Sequence, residues 1–424
     1  MVYVLSASGK PLMPTEDHRQ VRLLLKQGKA VVVKRTPFTI QLVNKVHNYK
    51  QPIDLGVDAG SKHIGISATT EQKVLYEADV ELRNDIVDLI STRRESRRTR
   101  RNRKTRYRAP RFDNRRRPEG WIAPSVKQKV DTHLQVIANV HKILPITKVI
   151  IETASFDVQK IKNPDIHNEQ YQQGEQSGFW NIREYVLFRD GHTCQCCKGK
   201  SKDPVLNVHH IESRTIGGNA PNNLITLCET CHTGYHKGLV KLPKTIKRGM
   251  KFNDATFMGI MRWSVYNQLK EIYDSVELTY GYKTKNTRIE NGLSKDHFID
   301  ARCISGNPKA NSDGVVYYQK KVRCHNRQIH KFKINKGGIQ KNNQAPYLVK
   351  GFRLFDKVLY QNEECFITGR RTSGYFMLKK LDGTSIHNSA KYSDLRLLET
   401  AKHIIMERRR QFLSQAEDLC VSLP

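Results

Sequence analysis

The sequence lacks a long run of apolar residues. None of its stretches approaches the roughly eighteen consecutive apolar residues of a membrane-spanning helix, although 38% of the 424 residues are hydrophobic. The N-terminal sequence MVYVLSASGKPLMP also lacks the basic and then apolar layout of a secretory signal. We therefore expect a chain that stays inside the cell, has no membrane segment, and is long enough to bury a core without a disulfide scaffold.

Acidic residues are few beside basic ones. The chain has 73 Lys and Arg against 41 Asp and Glu, which gives a net charge of +32 at pH 7. Such an excess says little about the fold, but it favours a polyanionic partner, either nucleic acid or an anionic membrane.

Residues 93–117 carry the most extreme charge. Fourteen of these 25 residues are Arg or Lys and two are acidic, so the segment supplies +12 of the net charge. Its first part has no Pro or Gly and can be helical, but it has no apolar stripe to pack in a core or on a membrane. Guanidinium groups bind phosphates bidentately, so we expect nucleic-acid binding, with a disordered basic tail or localisation signal as the alternative. The candidate contacts are Arg93, Arg94, Arg97, Arg98, Arg100, Arg101, Arg103, Lys104, Arg106 and Arg108.

The cysteines lack the spread of a disulfide framework. Nine are present, an odd number, and five of them lie between positions 194 and 231. Cys194 and Cys197 form one CxxC pair, and Cys228 and Cys231 form a second pair after 30 intervening residues. Two such pairs suit a structural zinc ion held by four thiolates, which leaves Cys196 as a bystander.

Histidines lie between and after the two CxxC pairs. His209 and His210 follow a predicted strand, Asn223 precedes a Leu, and His232 comes directly after the last Cys. This order resembles the HNH nuclease family, also called ββα-metal. The resemblance implies that His210 is the general base, that His209 and His232 hold a divalent cation, Mg²⁺, and that Asn223 either ligates it or orients the base. The family often has Asp where this chain has His209. His236 is expected to be a bystander or an alternative ligand. The alternative for all of these histidines is that they are extra zinc ligands or surface groups.

Three separated acids each sit at the end of a predicted core element. Asp58 ends a strand of a predicted hairpin, Glu152 ends the strand KVII, and Asp300 lies on a predicted helix three residues after His297. This order resembles the RuvC nuclease, which has an RNase H-like fold. The resemblance implies that the three carboxylates hold Mg²⁺ ions at a phosphodiester, with His297 as a general base or a ligand. A structural turn acid is the alternative for Asp58.

The order of these parts resembles the IscB family of transposon-encoded nucleases, relatives of the CRISPR type II effectors. The sequence Lys10 to Pro14, KPLMP, resembles the PLMP signature of that family's N-terminal domain. The fold implied is a multidomain α/β protein with an RNase H-like (RuvC) core split into three segments, an inserted ββα-metal HNH domain and a β-rich C-terminal domain. The implied segments are 1–50 (PLMP domain), 51–80 (RuvC I), 81–120 (arginine-rich bridge helix), 121–160 (RuvC II), 161–250 (HNH with zinc knuckles), 251–310 (RuvC III) and 311–424 (C-terminal domain, binding RNA and a target-adjacent motif). Within these segments we expect helices over 255–273 and 286–304, and a charged helix around 399–416 that closes the chain.

The resemblance implies an RNA-guided endonuclease that cuts double-stranded DNA. The HNH site would cut the guide-paired strand, and the RuvC site would cut the other strand. The implied cofactors are catalytic Mg²⁺ and structural Zn²⁺, and the implied partners are a structured guide RNA and the target DNA. The protein itself would be monomeric, prokaryotic, cytoplasmic and associated with the nucleoid. One alternative is an unguided homing or restriction-type HNH endonuclease with a scaffold RNase H-like domain. A non-enzymatic RNA-binding regulator with degenerate sites is the other.

Overall fold

The computed structural model describes residues 1–46, 49–102, 118–153, 178–213, 219–247, 249, 253–323, 333–334, 340–341 and 346–410. The chain divides into two compact units. The first comprises Met1–Ala154 and Met258–Pro424, and the second comprises Ser155–Phe257. Among the described residues, no helix is long and apolar enough to cross a membrane.

The first unit begins with a small three-stranded sheet. Its strands are β1 (Tyr3–Leu5), β2 (Ala30–Lys34) and β3 (Thr39–Leu42), in the order β1-β3-β2. Helix α1 (His18–Lys26) begins after Asp17, whose carboxylate accepts a hydrogen bond from the Gln20 amide at 2.8 Å and so caps the helix. Val2, Val4, Val21 and Ile40 form the core of this element group.

A seven-stranded sheet forms the body of the first unit. Its strands are β4 (Asp54–Ala59), β5 (His63–Thr69), β6 (Val74–Glu81), β7 (Lys148–Thr153), β10 (Val276–Tyr280), β11 (Val315–Lys321) and β19 (Ile404–Arg410). The order is β10-β7-β4-β5-β6-β11-β19. Strands β4, β5 and β6 are antiparallel neighbours, whereas β7 pairs with β4, and β10 with β7, in parallel. This five-strand arrangement is the RNase H-like core, so the predicted fold class is confirmed.

Besides α1, five of the described helices lie wholly or mostly in the first unit. They are α2 (Ile86–Asn102), α3 (Pro124–His141), α6 (Asn253–Ile272), α7 (Gly281–Glu290) and α8 (His297–Ile304). The predicted helix over 255–273 is confirmed. The prediction of one helix over 286–304 was wrong, because Gly292 adopts φ +61° and ends α7 before α8 begins.

Helix α8 lies directly against the backbone of β4 and β5. A Cβ atom on Gly56 would lie 1.9 Å from the Ala301 carbonyl oxygen, and one on Gly65 would lie 1.8 Å from the His297 carbonyl oxygen. Only glycine permits this approach, which sets the distance between the helix and the strand that carries Asp58.

Residues 357–399 form a separate five-stranded sheet. It has the strands β14 (Lys357–Tyr360), β15 (Glu363–Arg370), β16 (Tyr375–Lys379), β17 (Ser385–Lys391) and β18 (Arg396–Glu399), in the order β17-β16-β15-β14-β18. Two short strands, β12 (Lys333–Ile334) and β13 (Gln340–Lys341), pair with each other. The β-rich C-terminal region was thus predicted correctly, but the helix predicted around 399–416 was wrong over its described part. Residues 404–410 form β19, which pairs with β11 at the edge of the seven-stranded sheet.

The second unit contains a ββα module. Strands β8 (Leu206–His210) and β9 (Leu224–Cys228) form an antiparallel pair, which is followed by α5 (Glu229–His236). Helix α4 (Ile182–Arg189) packs beside them, and its Arg189 donates hydrogen bonds to the Pro221 and Leu224 carbonyls at 2.8 Å.

Candidate nuclease sites

Asp58 and Glu152 lie side by side on the seven-stranded sheet. Val57 is paired with Ile151 across the parallel strands β4 and β7, and each acid is the next residue along its strand. Asp300 comes to the same region from α8, which is held against β4 by the glycine contacts described above. All three predicted acids therefore belong to one site, here called the sheet site.

Two acids of the sheet site are paired with arginine side chains. Arg262 of α6 lies 3.0 Å from Glu152 Oε1, and Arg288 of α7 lies 2.8 Å from Asp300 Oδ1. Arg262 also donates to the Ala59 carbonyl at 2.8 Å, which ties α6 to the end of β4. Neither arginine could be identified from the sequence, because neither lies near its partner in the chain.

Mutual repulsion acts among the three carboxylates. Burial raises the pKa of Glu152, and the Asp58 and Asp300 charges raise it further against the opposing effect of Arg262. Burial, followed by the Asp58 charge, likewise raises the pKa of Asp300. Buried, mutually repelling oxygen donors are the ligand set that Mg²⁺ prefers, so these residues fit the predicted ion.

His297 points at Asp58 and is backed by a second histidine. His297 Nδ1 lies 2.8 Å from Asp58 Oδ2, and this hydrogen bond is the main cause that raises the pKa of His297. The His63 ring stacks on the His297 ring, with centroids 5.2 Å apart and planes within 4°. His63 in turn lies 3.0 Å from Asp79. No sequence motif indicated His63 or Asp79, since their proximity depends on the pairing of β5 with β6.

Three histidines of the ββα module converge. A ring nitrogen from each of His209, His232 and His236 lies within 4.8 Å of the others, and the His232 and His236 Nε2 atoms are 3.3 Å apart. His209 Nε2 is buried without a hydrogen-bond partner among the described residues. Burial, followed by the charges of His232 and His236, lowers the pKa of His209 to about 4, so this ring is neutral at pH 7. We call these three residues the histidine cluster.

The histidine cluster fits a metal ion, but its nitrogen donors favour a different ion from the predicted Mg²⁺. Mg²⁺ prefers oxygen ligands, whereas three imidazoles suit divalent transition metals such as zinc, copper, iron or nickel. The expectation that His236 is a bystander does not agree with this geometry. Its position four residues after His232 on α5 was the available signal, because that spacing places two side chains on one helix face.

His210 and Asn223 lie beside the cluster without joining it. His210 follows His209 on β8 and points to the other face of the strand, where its Nε2 lies 3.0 Å from Asn219 Oδ1. The buried Asn223 side chain accepts from the Glu212 amide at 2.9 Å and donates to the Glu212 carbonyl at 3.0 Å. Both of its polar side-chain atoms thus bind the backbone of Glu212, two residues after His210.

The four cysteines of the two CxxC pairs form a separate group. The sulfur atoms of Cys194, Cys197, Cys228 and Cys231 all lie within 4.8 Å of one another. Cys197 Sγ and Cys228 Sγ are 3.8 Å apart. Zinc bonds of ~2.3 Å in a tetrahedron give an S···S distance of about 3.8 Å, so the group fits zinc. Cys196 lies outside it.

Helix α2 carries the first part of the arginine-rich segment. Arg93, Arg94, Arg97 and Arg98 are exposed along it, and the backbone at Arg100 and Arg101 continues the helix. The remaining predicted contacts, Arg103, Lys104, Arg106 and Arg108, lie outside the described residues.

Comparisons with known proteins agree with this architecture. The family model described as RRXRR protein matches residues 2–174, and that of the HNH endonuclease matches residues 194–238. Anaredoxin from Nostoc sp. is 49% identical over 55 residues, which are 12% of this chain and 68% of anaredoxin. An RNase H-like sheet with three acids, joined to an HNH endonuclease module, defines a RuvC–HNH nuclease. Residues 194–238 match the HNH endonucleases, and together with the RRXRR region this match supports an IscB- or Cas9-like RuvC–HNH nuclease.

Solved structures of Streptococcus thermophilus Cas9 also match. The Cas9 complex with an AGGA PAM is 13% identical, with a TM-score of 0.31 over 43% of this chain and 26% of Cas9. The complex with a GGAA PAM is 15% identical, with a TM-score of 0.34 over 50% of this chain and 30% of Cas9. The chain thus spans about a third or less of the Cas9 length.

Proposed function

We propose that this chain is an RNA-guided endonuclease that cuts both strands of duplex DNA. The observation that carries the proposal is the presence of two separate nuclease-type sites in one chain, the sheet site and the histidine cluster with His210. Two sites with different donors and different general-base candidates allow each strand of a duplex to be cut once.

Guidance by RNA is supported by the exposed arginines of α2. A row of guanidinium groups binds phosphates along a nucleic-acid backbone, which positions the protein but reads no sequence. Base pairing with a guide supplies the sequence choice that such contacts lack, while the protein recognises the heteroduplex by shape.

At the HNH site, His210 acts as the general base. Asn219 Oδ1 accepts a hydrogen bond from Nε2–H of His210, so Nδ1 of the neutral ring is the nitrogen that takes a proton from water. The oxygen of that water bonds to phosphorus as the bond from phosphorus to the leaving oxygen breaks, and the leaving oxygen takes up a proton from solvent water. A metal held by His209, His232 and His236 would stabilise the charge that develops on the phosphate. Asn223 holds the backbone that carries His210. We propose that this site cuts the guide-paired strand.

At the sheet site, Asp58, Glu152 and Asp300 would hold Mg²⁺, which supplies charge stabilisation at the other strand. His297 donates from Nδ1 to Asp58, so its Nε2 is the nitrogen that accepts a proton from water. Zn²⁺ held by the four cysteines would have a structural role only.

The proposal is tested by the RNA that accompanies the protein. The gene is expressed with its native flanking DNA, the protein is purified and the bound nucleic acid is sequenced. We expect one abundant structured RNA with a variable end, and cleavage of duplex DNA that matches this end but not of a scrambled duplex. Random RNA, or cleavage whose sequence choice ignores the RNA, would instead establish an unguided HNH nuclease.

A further inference from the structure

Two exposed tyrosines stand at the edge of the sheet site. Tyr280 ends β10 and Tyr282 lies in the first turn of α7, and their side chains are 41% and 62% exposed. Their rings are stacked, with centroids 6.1 Å apart and planes within 13°. Two large aromatic rings that are stacked and exposed to solvent point to a flat ligand, because their exposure brings no packing benefit unless a ligand covers them.

The residue between the tyrosines touches the catalytic acid. A Cβ atom on Gly281 would lie 3.1 Å from Glu152 Oε1 and 3.4 Å from its carboxyl carbon. The pairing of Tyr280 with Thr153, directly after Glu152, fixes this contact. The tyrosine pair is therefore attached to the sheet site through the backbone, one residue away from a proposed Mg²⁺ ligand.

The charge beside the pair suits a nucleic acid. Lys283 and Lys285 are exposed on α7, and Lys285 lies three residues after Tyr282, on the same helix face. Aromatic rings next to cationic side chains are the combination that binds single strands, since the rings stack on bases and the cations bind phosphates. Paired bases within a duplex offer no free face, so the ligand is an unpaired base.

We propose that Tyr280 and Tyr282 form a stacking site for an unpaired base of the DNA strand that is cut at the sheet site. This inference rests on the proposed function, in which one strand is displaced as a single strand. The site positions the base beside the scissile phosphate, and it is tolerant of sequence because every base has an aromatic face.

The test combines tyrosine variants with abasic DNA. The full chain with its copurified RNA cleaves a duplex whose displaced strand carries one abasic position, scanned across the cut. Loss of a stacked base costs about five- to a hundredfold in binding, so we expect Tyr282→Ala and Tyr280→Ala to slow displaced-strand cleavage by about that factor. Tyr282→Phe restores the rate, and Ile289→Ala, an exposed residue on the same helix, leaves it unchanged.

The decisive result is non-additivity. At one or two abasic positions, displaced-strand cleavage by the wild type slows as much as cleavage of intact DNA by the tyrosine variant. At those positions the missing base slows cleavage by the variant no further. Additive losses at every position, or wild-type cleavage by Tyr280→Ala and Tyr282→Ala together, would overturn the stacking site. Cleavage of the guide-paired strand in the same tube reports that the complex is intact.

Failure of the proposed function gives a different pattern. In that case Asp58→Ala leaves displaced-strand cleavage unchanged in the wild-type background. The stacking site is then tested by binding a short single-stranded DNA that contains 2-aminopurine. Quenching that disappears in Tyr282→Ala and persists in Ile289→Ala supports the site, and equal quenching in all three proteins refutes it.

Discussion

Individual side chains at the sheet site are held by partners far away in the sequence. Arg262 and Arg288 fix the carboxylates of Glu152 and Asp300, and His63 stacks on His297. These contacts restrain the rotamers of the proposed metal ligands and base before any substrate binds. A change that displaces one of these side chains should therefore lower activity, as should a change that removes its charge.

Gly281→Ala tests how tightly Glu152 is placed. The added Cβ would stand 3.1 Å from Glu152 Oε1, closer than an ordinary contact, so the carboxylate must move against its Arg262 partner. We expect cleavage at the sheet site to fall on the order of tenfold, measured on a strand-labelled duplex. Asn286→Ala, an exposed change on the same helix, serves as the control. An unchanged rate for Gly281→Ala would show that Glu152 does not need this position.

His236→Ala tests the third member of the histidine cluster. Loss of an outer-shell partner alone costs about ten- to a hundredfold in metal affinity, so removal of a ligand should raise the half-saturating Ni²⁺ concentration for HNH cleavage at least that much. His192→Asn, on an exposed turn, should behave like the wild type. Equal metal dependence of both variants would leave only His209 and His232 as ligands, as the sequence first implied.

At the scale of elements, backbone contacts between α8 and the sheet build the sheet site. Gly56 and Gly65 let the helix approach within reach of β4 and β5, so Asp300 and His297 arrive beside Asp58. Helix α3 also approaches this site, since the charges of Asp58 and Arg262 act on its His133. Its His133 is fully buried, with Nδ1–H donating to the Lys129 carbonyl at 2.8 Å.

His133 should make the first unit sensitive to acid. Burial lowers its pKa to about 4 from the ordinary 6.5. The unfolded chain therefore takes up a proton below pH 6.5 that the folded chain refuses until about pH 4, and stability falls as pH falls through this window. Between pH 7 and pH 5 the wild type should lose about 2 kcal/mol more than His133→Leu, as measured by urea unfolding. Parallel losses in both proteins would show that His133 is protonated in the fold.

The elements also show what the sequence could and could not predict. The strand that ends at Asp58, the strand that ends at Glu152 and the HNH module follow from local patterns, because each motif lies on contiguous residues. The segment around 404–410 was mistaken for a helix, because the charged residues 407–410 do not favour a strand and the pairing of the segment with β11 is a long-range contact. No sequence pattern indicated the stacked Tyr280 and Tyr282, because their proposed role depends on their exposure beside Glu152. The spacing of residues along the sequence does not reveal that exposure.

The whole molecule consists of two units, each with its own core. Buried residues of the second unit group around the cysteines and around Tyr185, Val186 and Leu224. In such a small core a metal held by four thiolates would replace much of the missing apolar burial. The first unit has the larger buried sheet and contains none of those cysteines.

Cys231→Ser tests the structural role of the cysteine group. We expect amide hydrogen exchange to accelerate in β8 and β9, since zinc binding is coupled to folding of this core, while β4 and β7 keep wild-type protection. Cys196→Ser, which changes a cysteine outside the group, is the matched control. Wild-type protection of β9 in Cys231→Ser would contradict a structural zinc.

Strand-resolved cleavage by two single-site variants tests the central claim most directly. The guided duplex is labelled on each strand and incubated with Asp58→Ala or His210→Ala in the presence of divalent metal. Two independent sites predict two nickases of opposite strand: Asp58→Ala cuts only the guide-paired strand, and His210→Ala cuts only the displaced strand. Cleavage of both strands by either variant, or loss of both cuts in one of them, would contradict the assignment of one strand to each site.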